Sequence, residues 1–209
     1  MKKYLLPLIL ILLLSFALTG FATDYTSQYP TAQSDTYVKA TTKNSTSYWA
    51  YYATDPLKTL TYEASLNSWI SAAETFTNQR FHIDLGSTKV IERIYYENFN
   101  SYGFSTEQGA KNFTLWGSNT GAGSFDDLVY GNDEGWTELT VSQNTFDQHT
   151  ASNIADPKYI TVTNEVAYRY YALKFADNYS GANWIGVRRI ELQTKDEAEG
   201  NAIMFGMNF

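Results

Sequence analysis

Gln79-Arg80-Phe81-His82-Ile83-Asp84-Leu85-Gly86 alternates strictly between polar and apolar side chains. A side-chain period of two puts Phe81, Ile83 and Leu85 on one face and Arg80, His82 and Asp84 on the other, which marks a half-buried β-strand and not a helix. On that reading His82 points outward. Gly86-Ser87 closes the segment as a turn. The style recurs outward from this stretch, in Val90–Tyr96, Lys111–Gly117, Gly135–Leu139, Lys158–Val162, Tyr168–Phe175 and Ile185–Gln193, with turn-rich segments at 117–123 and 178–183. No segment keeps a 3.6-residue apolar stripe beyond two turns, and Asp55–Ser71 is the best place for a short helix. Many short strands broken by turn signals predict an all-β, antiparallel sandwich or barrel.

Composition agrees. Seventeen Tyr, 12 Phe and 5 Trp make 16% of the chain, and aromatic side chains suit a pleated, half-buried surface. At the N-terminus Lys2 and Lys3 precede an apolar run from Leu5 to Leu14 that ends at Gly20-Phe21-Ala22, the pattern of a secretory signal peptide covering residues 1–22. The apolar core is shorter than the ~20 residues a membrane helix needs. The expected location is therefore secreted, periplasmic or cell-surface, with no membrane span after cleavage. Without residues 1–22, 13 bases stand against 22 acids, a net charge of −9. That balance, with no cluster of Lys or Arg, excludes nucleic acid as a partner. The absence of cysteine excludes thiolate metal sites and Cys nucleophiles.

Six segments, in order, resemble the discoidin family, also called the coagulation factor 5/8 type C or galactose-binding-like domain. They are Trp69-Ile70-Ser71, Phe81 to Gly86, Phe113-Thr114-Leu115-Trp116-Gly117-Ser118-Asn119, Trp136-Thr137-Glu138-Leu139, Arg169-Tyr170-Tyr171-Ala172-Leu173 and Ile185 to Leu192. The resemblance spans residues 45–194 and implies a jelly-roll β-sandwich there, preceded by a leader at 23–44 and followed by a tail at 195–209. Its motifs describe the scaffold. Leu85 and Phe113 are expected in the core, Gly86 and Gly117 in turn conformations, and Arg169 snorkelling or paired at the sheet edge. Some members hold a structural calcium near the strand ends, a hard cation that needs acidic or carbonyl oxygens. Arg189, directly before Ile190 where relatives often carry Glu, argues against that ion, and no cofactor is assigned. Ala172, where many relatives carry a second Arg, weakens any inference about an anionic ligand.

No catalytic constellation emerges. His82 and His149 are too far apart in sequence for a metal-binding pair motif, and the acidic run Asp126, Asp127, Asp133 and Glu134 lacks EF-hand spacing and reads as a solvated loop. There is no Gly-x-Ser-x-Gly elbow and no phosphate-cradling glycine motif. What remains is a non-catalytic binding module. Aromatic rings in loops stack on the apolar faces of sugars while amides take the hydroxyls. The candidate ligand-binding residues are Tyr51, Phe99, Tyr102, Asn178 and Tyr179, and the expected partner is a glycan or cell-surface polysaccharide. The alternative is a structural or protein-interaction module docking through the apolar end of residues 195–209.

Overall fold

The computed structural model describes residues 24–196. The signal-peptide reading of residues 1–22 and the docking reading of the tail beyond residue 196 lie outside the described residues. Ten strands carry the fold: β1 (Tyr25–Gln28), β2 (Val38–Ala40), β3 (Trp69–Ile70), β4 (Gln79–Lys89), β5 (Arg93–Asn98), β6 (Phe113–Ser118), β7 (Thr137–Val141), β8 (Lys158–Thr163), β9 (Tyr168–Phe175) and β10 (Gly186–Lys195). One sheet runs β1-β10-β5-β8 with β3 also on β10, the other runs β2-β4-β9-β6-β7, and every strand pairing is antiparallel. The two sheets meet along one seam, where Thr140 and Val141 of β7 pair with Thr163 and Val162 of β8. The segment read as a leader supplies β1 and β2, one at the end of each sheet. The helix expected within Asp55–Ser71 does not form; that stretch is a chain of turns entered by a 3-10 turn at Ala50–Ala53, and the one α-helix among the described residues is α1 (Ala122–Asp126).

The alternation read from β4 sets the core. Phe81, Ile83 and Leu85 face inward, with Phe81 opposite Leu173 and Ile83 opposite Tyr171 on β9. Phe113 and Leu115 of β6, Ile94 and Tyr96 of β5, and Ile190 and Leu192 of β10 complete the same buried cluster. Each such side chain removed from water stabilises by about 2 kcal/mol.

The other face of β4 departs from expectation. Arg80 and His82 are fully buried, because residues 119–136, α1 included, fold over the outside of this sheet. Phe125 and Trp136 from that excursion pack on Tyr170 and Ala172 of β9. Its acidic run is a solvated loop only in part: Asp126 and Glu134 are exposed, whereas Asp133 accepts from Arg80 Nη1 at 3.0 Å and from Lys174 Nζ at 2.8 Å. His82 sits 4.8 Å from the Trp136 ring, its Nε2 facing Arg80 Nε at 2.9 Å and its Nδ1 facing the Phe125 carbonyl at 2.8 Å. The solvent that alternation assigned to this face has been replaced by a second, polar-edged layer.

The turn expected at Gly86-Ser87 does not close the segment: β4 runs on to Lys89, with a register shift against β9 between Asp84 and Lys89. Asp84, nearly buried, accepts two hydrogen bonds from the Arg169 fork, at 2.8 and 2.9 Å, and a third from the Gly86 amide at 2.7 Å. Gly86 has φ of 74°, and a Cβ there would lie 2.2 Å from Thr31 Oγ1. Gly117 has a different reason: it lies inside β6, and a Cβ would strike the Tyr168 ring at 2.4 Å. Replacing Asp84 by Ala should destabilise the domain by about 2 kcal/mol, leaving a fork without its acceptor, whereas Arg169→Ala should cost about 1 kcal/mol because that side chain is half exposed. Urea unfolding of the two variants checks the order; equal losses would show that the fork does not organise this irregular stretch of β4.

Candidate functional site

Five loops converge at one end of the sandwich. The register places Gln79 and Phe113 opposite Phe175, and Asn98 opposite Val187. The connections at 71–78, 99–112 and 176–185 therefore leave from the same end, and β3 draws the long 41–68 segment to it by pairing Ile70 with Gly186. The segment between β7 and β8 reaches this end as well, since Asn112 bridges to Thr145.

Three aromatic rings stand exposed there: Tyr62 (60%), Tyr102 (51%) and Phe104 (74%). Tyr62 and Tyr102 come from different loops and meet edge to face, with centroids 6.1 Å apart. The backbone builds the pair. The Tyr102 amide donates to the Tyr62 carbonyl at 2.9 Å, and Ser101 and Phe104 close a tight turn by reciprocal hydrogen bonds of 3.0 and 2.8 Å. Gly103 inside that turn has φ of 79°, and a Cβ there would lie 2.5 Å from the Ser152 backbone. Asn153, exposed on the third loop, takes the Tyr62 amide through its side-chain oxygen at 2.5 Å. Tyr62, Leu66, Tyr102 and Ser105 all hold left-handed backbone, with φ between 55° and 62°. Non-glycine residues rarely adopt it, and clusters of them gather where a surface is held in one shape for a purpose. Neither tyrosine hydroxyl has a partner among the described residues, and Glu63 and Glu107 are exposed on the same two loops. The platform thus offers ring faces, free phenol hydroxyls, an amide and carboxylates.

Of the five residues expected to bind ligand, only Tyr102 belongs to this platform. Phe99 is 2% exposed and forms its floor, buried with Ala64 and Ile70 and lying against Gly186. Asn178 is 4% exposed and staples its own loop, donating to the carbonyls of Ala182 (2.8 Å) and Trp184 (2.7 Å) while accepting from the Gly181 amide. Tyr179 is half-buried and donates to the Phe146 carbonyl at 2.5 Å; burial raises its hydroxyl pKa. Tyr51 is stacked on Trp49 at 5.7 Å and packed on the core, and burial, then the adjoining Tyr52, push it up to about 12. Each is an amide or aromatic that the chain spends on its own loops. Tyr62 was hidden by the helical reading of Asp55–Ser71; its one sequence signal is an aromatic between Thr61 and Glu63, two polar neighbours.

No family model and no curated protein matches the sequence. Solved structures do. A truncated AlyQ with CBM32 and alginate lyase domains superposes with a TM-score of 0.55 at 14% identity over 85% of this chain, which spans 35% of that one. The family 32 carbohydrate-binding module of C. perfringens NanJ, in complex with galactose, gives 0.51 at 12% identity over 82% of this chain and all of that one. A pectin-binding carbohydrate-binding module gives 0.50 at 16% identity, covering 84% and 95%. The fold is a discoidin-type jelly roll. The six segments that resembled that family lie, in this discoidin-type sandwich, on β3, β4, β6, the start of β7, β9 and β10.

Two arginines of β10 hold carbonyls of the 58–63 segment. Arg188 donates to the carbonyls of Thr61, Tyr62 and Glu63, and Arg189 donates to that of Lys58 at 2.7 Å. Among the described residues no group of three or more His, Asp or Glu is arranged to hold a metal. No helix of the described residues is long and apolar enough to cross a membrane.

Proposed function

We propose that this chain is a non-catalytic carbohydrate-binding module that works outside the cytoplasm and takes its glycan on Tyr62, Tyr102 and Phe104. The observation that carries the reading is the set of three exposed rings, built by two loops bonded to each other on strained backbone at one end of a rigid sandwich. Leaving such rings in water is unfavourable, and a sugar's apolar face is the partner that covers a ring while its hydroxyls stay bonded to Tyr hydroxyls, Asn153 and water. The fold supports it by analogy, since NanJ's module was crystallised with galactose and another neighbour binds pectin. Export follows from the reading of residues 1–22.

The test is a glycan array probed with the mature chain, with and without calcium, followed by titration of any hit with Tyr62→Ala, Tyr102→Ala and Phe104→Ala. Each variant should bind about tenfold more weakly or worse, the loss of one stacking ring, at unchanged thermal stability. Calcium should make no difference. Retained affinity in all three variants would place the site elsewhere, and a bare array would end the sugar reading.

A further inference from the structure

We propose that Arg188 is the positioning residue of this platform: its guanidinium, inside the domain, fixes the backbone curl that presents Tyr62. The role rests on the sugar-binding reading for its consequence, and on geometry alone for its mechanism. Arg188 projects from β10 at a register shift, between Val187 opposite Asn98 and Arg189 opposite Glu97 on β5; the two ends of β10 pair with β3 and β1. It is fully buried. Nη1 donates to the Glu63 carbonyl at 2.8 Å, and Nη2 donates to the carbonyls of Thr61 at 2.7 Å and Tyr62 at 3.1 Å.

Three successive carbonyls aimed at one point are an unfavourable arrangement, because their dipoles repel and the chain must curl, as Tyr62 does at φ of 61°. A cation at the focus reverses the balance. A planar fork with several donors can serve all three oxygens at once, which a lysine ammonium on the same strand would not do with the same fixed geometry. No carboxylate contacts this guanidinium among the described ion pairs; the three carbonyls, with the charge of the buried Glu97, offset the cost of its burial. Burial lowers its pKa to about 10, which leaves it charged at neutral pH.

The link to the platform is a shared atom. The Tyr62 carbonyl that accepts from Arg188 also accepts from the Tyr102 amide at 2.9 Å. Arg188 therefore sets the height of one ring and the anchor point of the other without touching a ligand. Arg189 repeats the device one residue along, donating to Lys58 while paired with Glu191 at 3.0 Å.

The experiment compares Arg188→Met and Arg188→Lys with the unaltered chain in two readouts. Chymotryptic cleavage after Tyr62 needs no ligand: the ring is exposed, but a protease requires the curled segment to open. Cleavage there should rise about tenfold or more in Arg188→Met, less in Arg188→Lys, while the rest of the domain stays protected. Guanidinium ion at tens of millimolar, too dilute to denature, should restore protection to Arg188→Met by refilling the focus, and sodium chloride at equal concentration should not. Affinity for the glycan selected on the array should fall in Arg188→Met as far as in Tyr62→Ala. A cleavage rate equal to that of the unaltered chain, or general cleavage that guanidinium does not reverse, would overturn the assignment. If the unaltered chain binds no glycan, the sugar reading falls, and the cleavage rates alone still decide whether Arg188 positions Tyr62.

Discussion

Acidification from pH 6.5 to pH 4 will destabilise the domain by about 3 kcal/mol through His82, and His82→Gln will remove that dependence. The folded-state pKa of His82 is lowered to about 4, first by burial and then by the positive charge of Arg80; the bond to the Phe125 carbonyl opposes the shift. The sign follows directly. Between pH 4 and 6.5 an unfolded chain protonates this histidine and the folded domain does not, so protons favour unfolding throughout that window. Its geometry says why. Nε2 accepts from Arg80 Nε, and a second proton there would face a guanidinium inside a layer sealed by Phe125 and Trp136. Asp156 and Asp127, both held below their ordinary range, favour the folded state above about pH 4 and lose that contribution only in more acid solution, so the windows separate. Urea midpoints from pH 4 to 7.5 make the measurement. A flat profile in the unaltered chain would mean that the 119–136 layer opens to admit water; a slope unchanged in His82→Gln would move the effect to other groups.

That layer also shows where reading the sequence stops. Alternation placed Phe81, Ile83 and Leu85 correctly in the core because period and burial are both local properties of β4. The same alternation sent Arg80 and His82 to solvent, and it failed there because the cover comes from 119–136, a segment with loop composition and no periodicity of its own. The Asp-Leu-Gly motif was legible, while its partner Arg169, 85 positions on, was legible only as a residue that could pair. At the candidate site Tyr102 stood out between Ser101 and Gly103. Tyr62 did not, since its segment is shaped by Arg188, 126 positions away, and carries no turn signal of its own. Asn178 and Tyr179 had the composition of a sugar site and are used instead to brace their loop, a distinction that depends on which carbonyls come within reach.

Trp69→Ala will destabilise the domain by about 4 kcal/mol, a loss comparable with the whole stability of many small domains. Trp69 is fully buried, stacked on Phe175 at 5.9 Å and edge-on to Phe81 at 5.3 Å, and its indole donates to the Thr42 carbonyl at 2.9 Å. Truncation would leave a cavity between the two sheets and an unpaired carbonyl at the start of the 41–68 segment. Trp69→Phe keeps most of the apolar contact and should lose about 1–2 kcal/mol, the hydrogen bond and the missing ring volume. The position matters beyond stability because β3 is only two residues long and pairs with β10 at Gly186 and Val187, next to Arg188. Trp69 is thus the apolar anchor, and Arg188 the polar one, for the same 41–68 segment that carries Tyr62. Chemical unfolding of Trp69→Ala and Trp69→Phe measures the first role, and chymotryptic cleavage after Tyr62 in Trp69→Phe measures the second. A Trp69→Phe domain that keeps its stability within 1–2 kcal/mol yet is cut faster at Tyr62 is the expected pair of results; equal losses for Phe and Ala would show that the indole hydrogen bond, and not the stacked ring, holds this end closed.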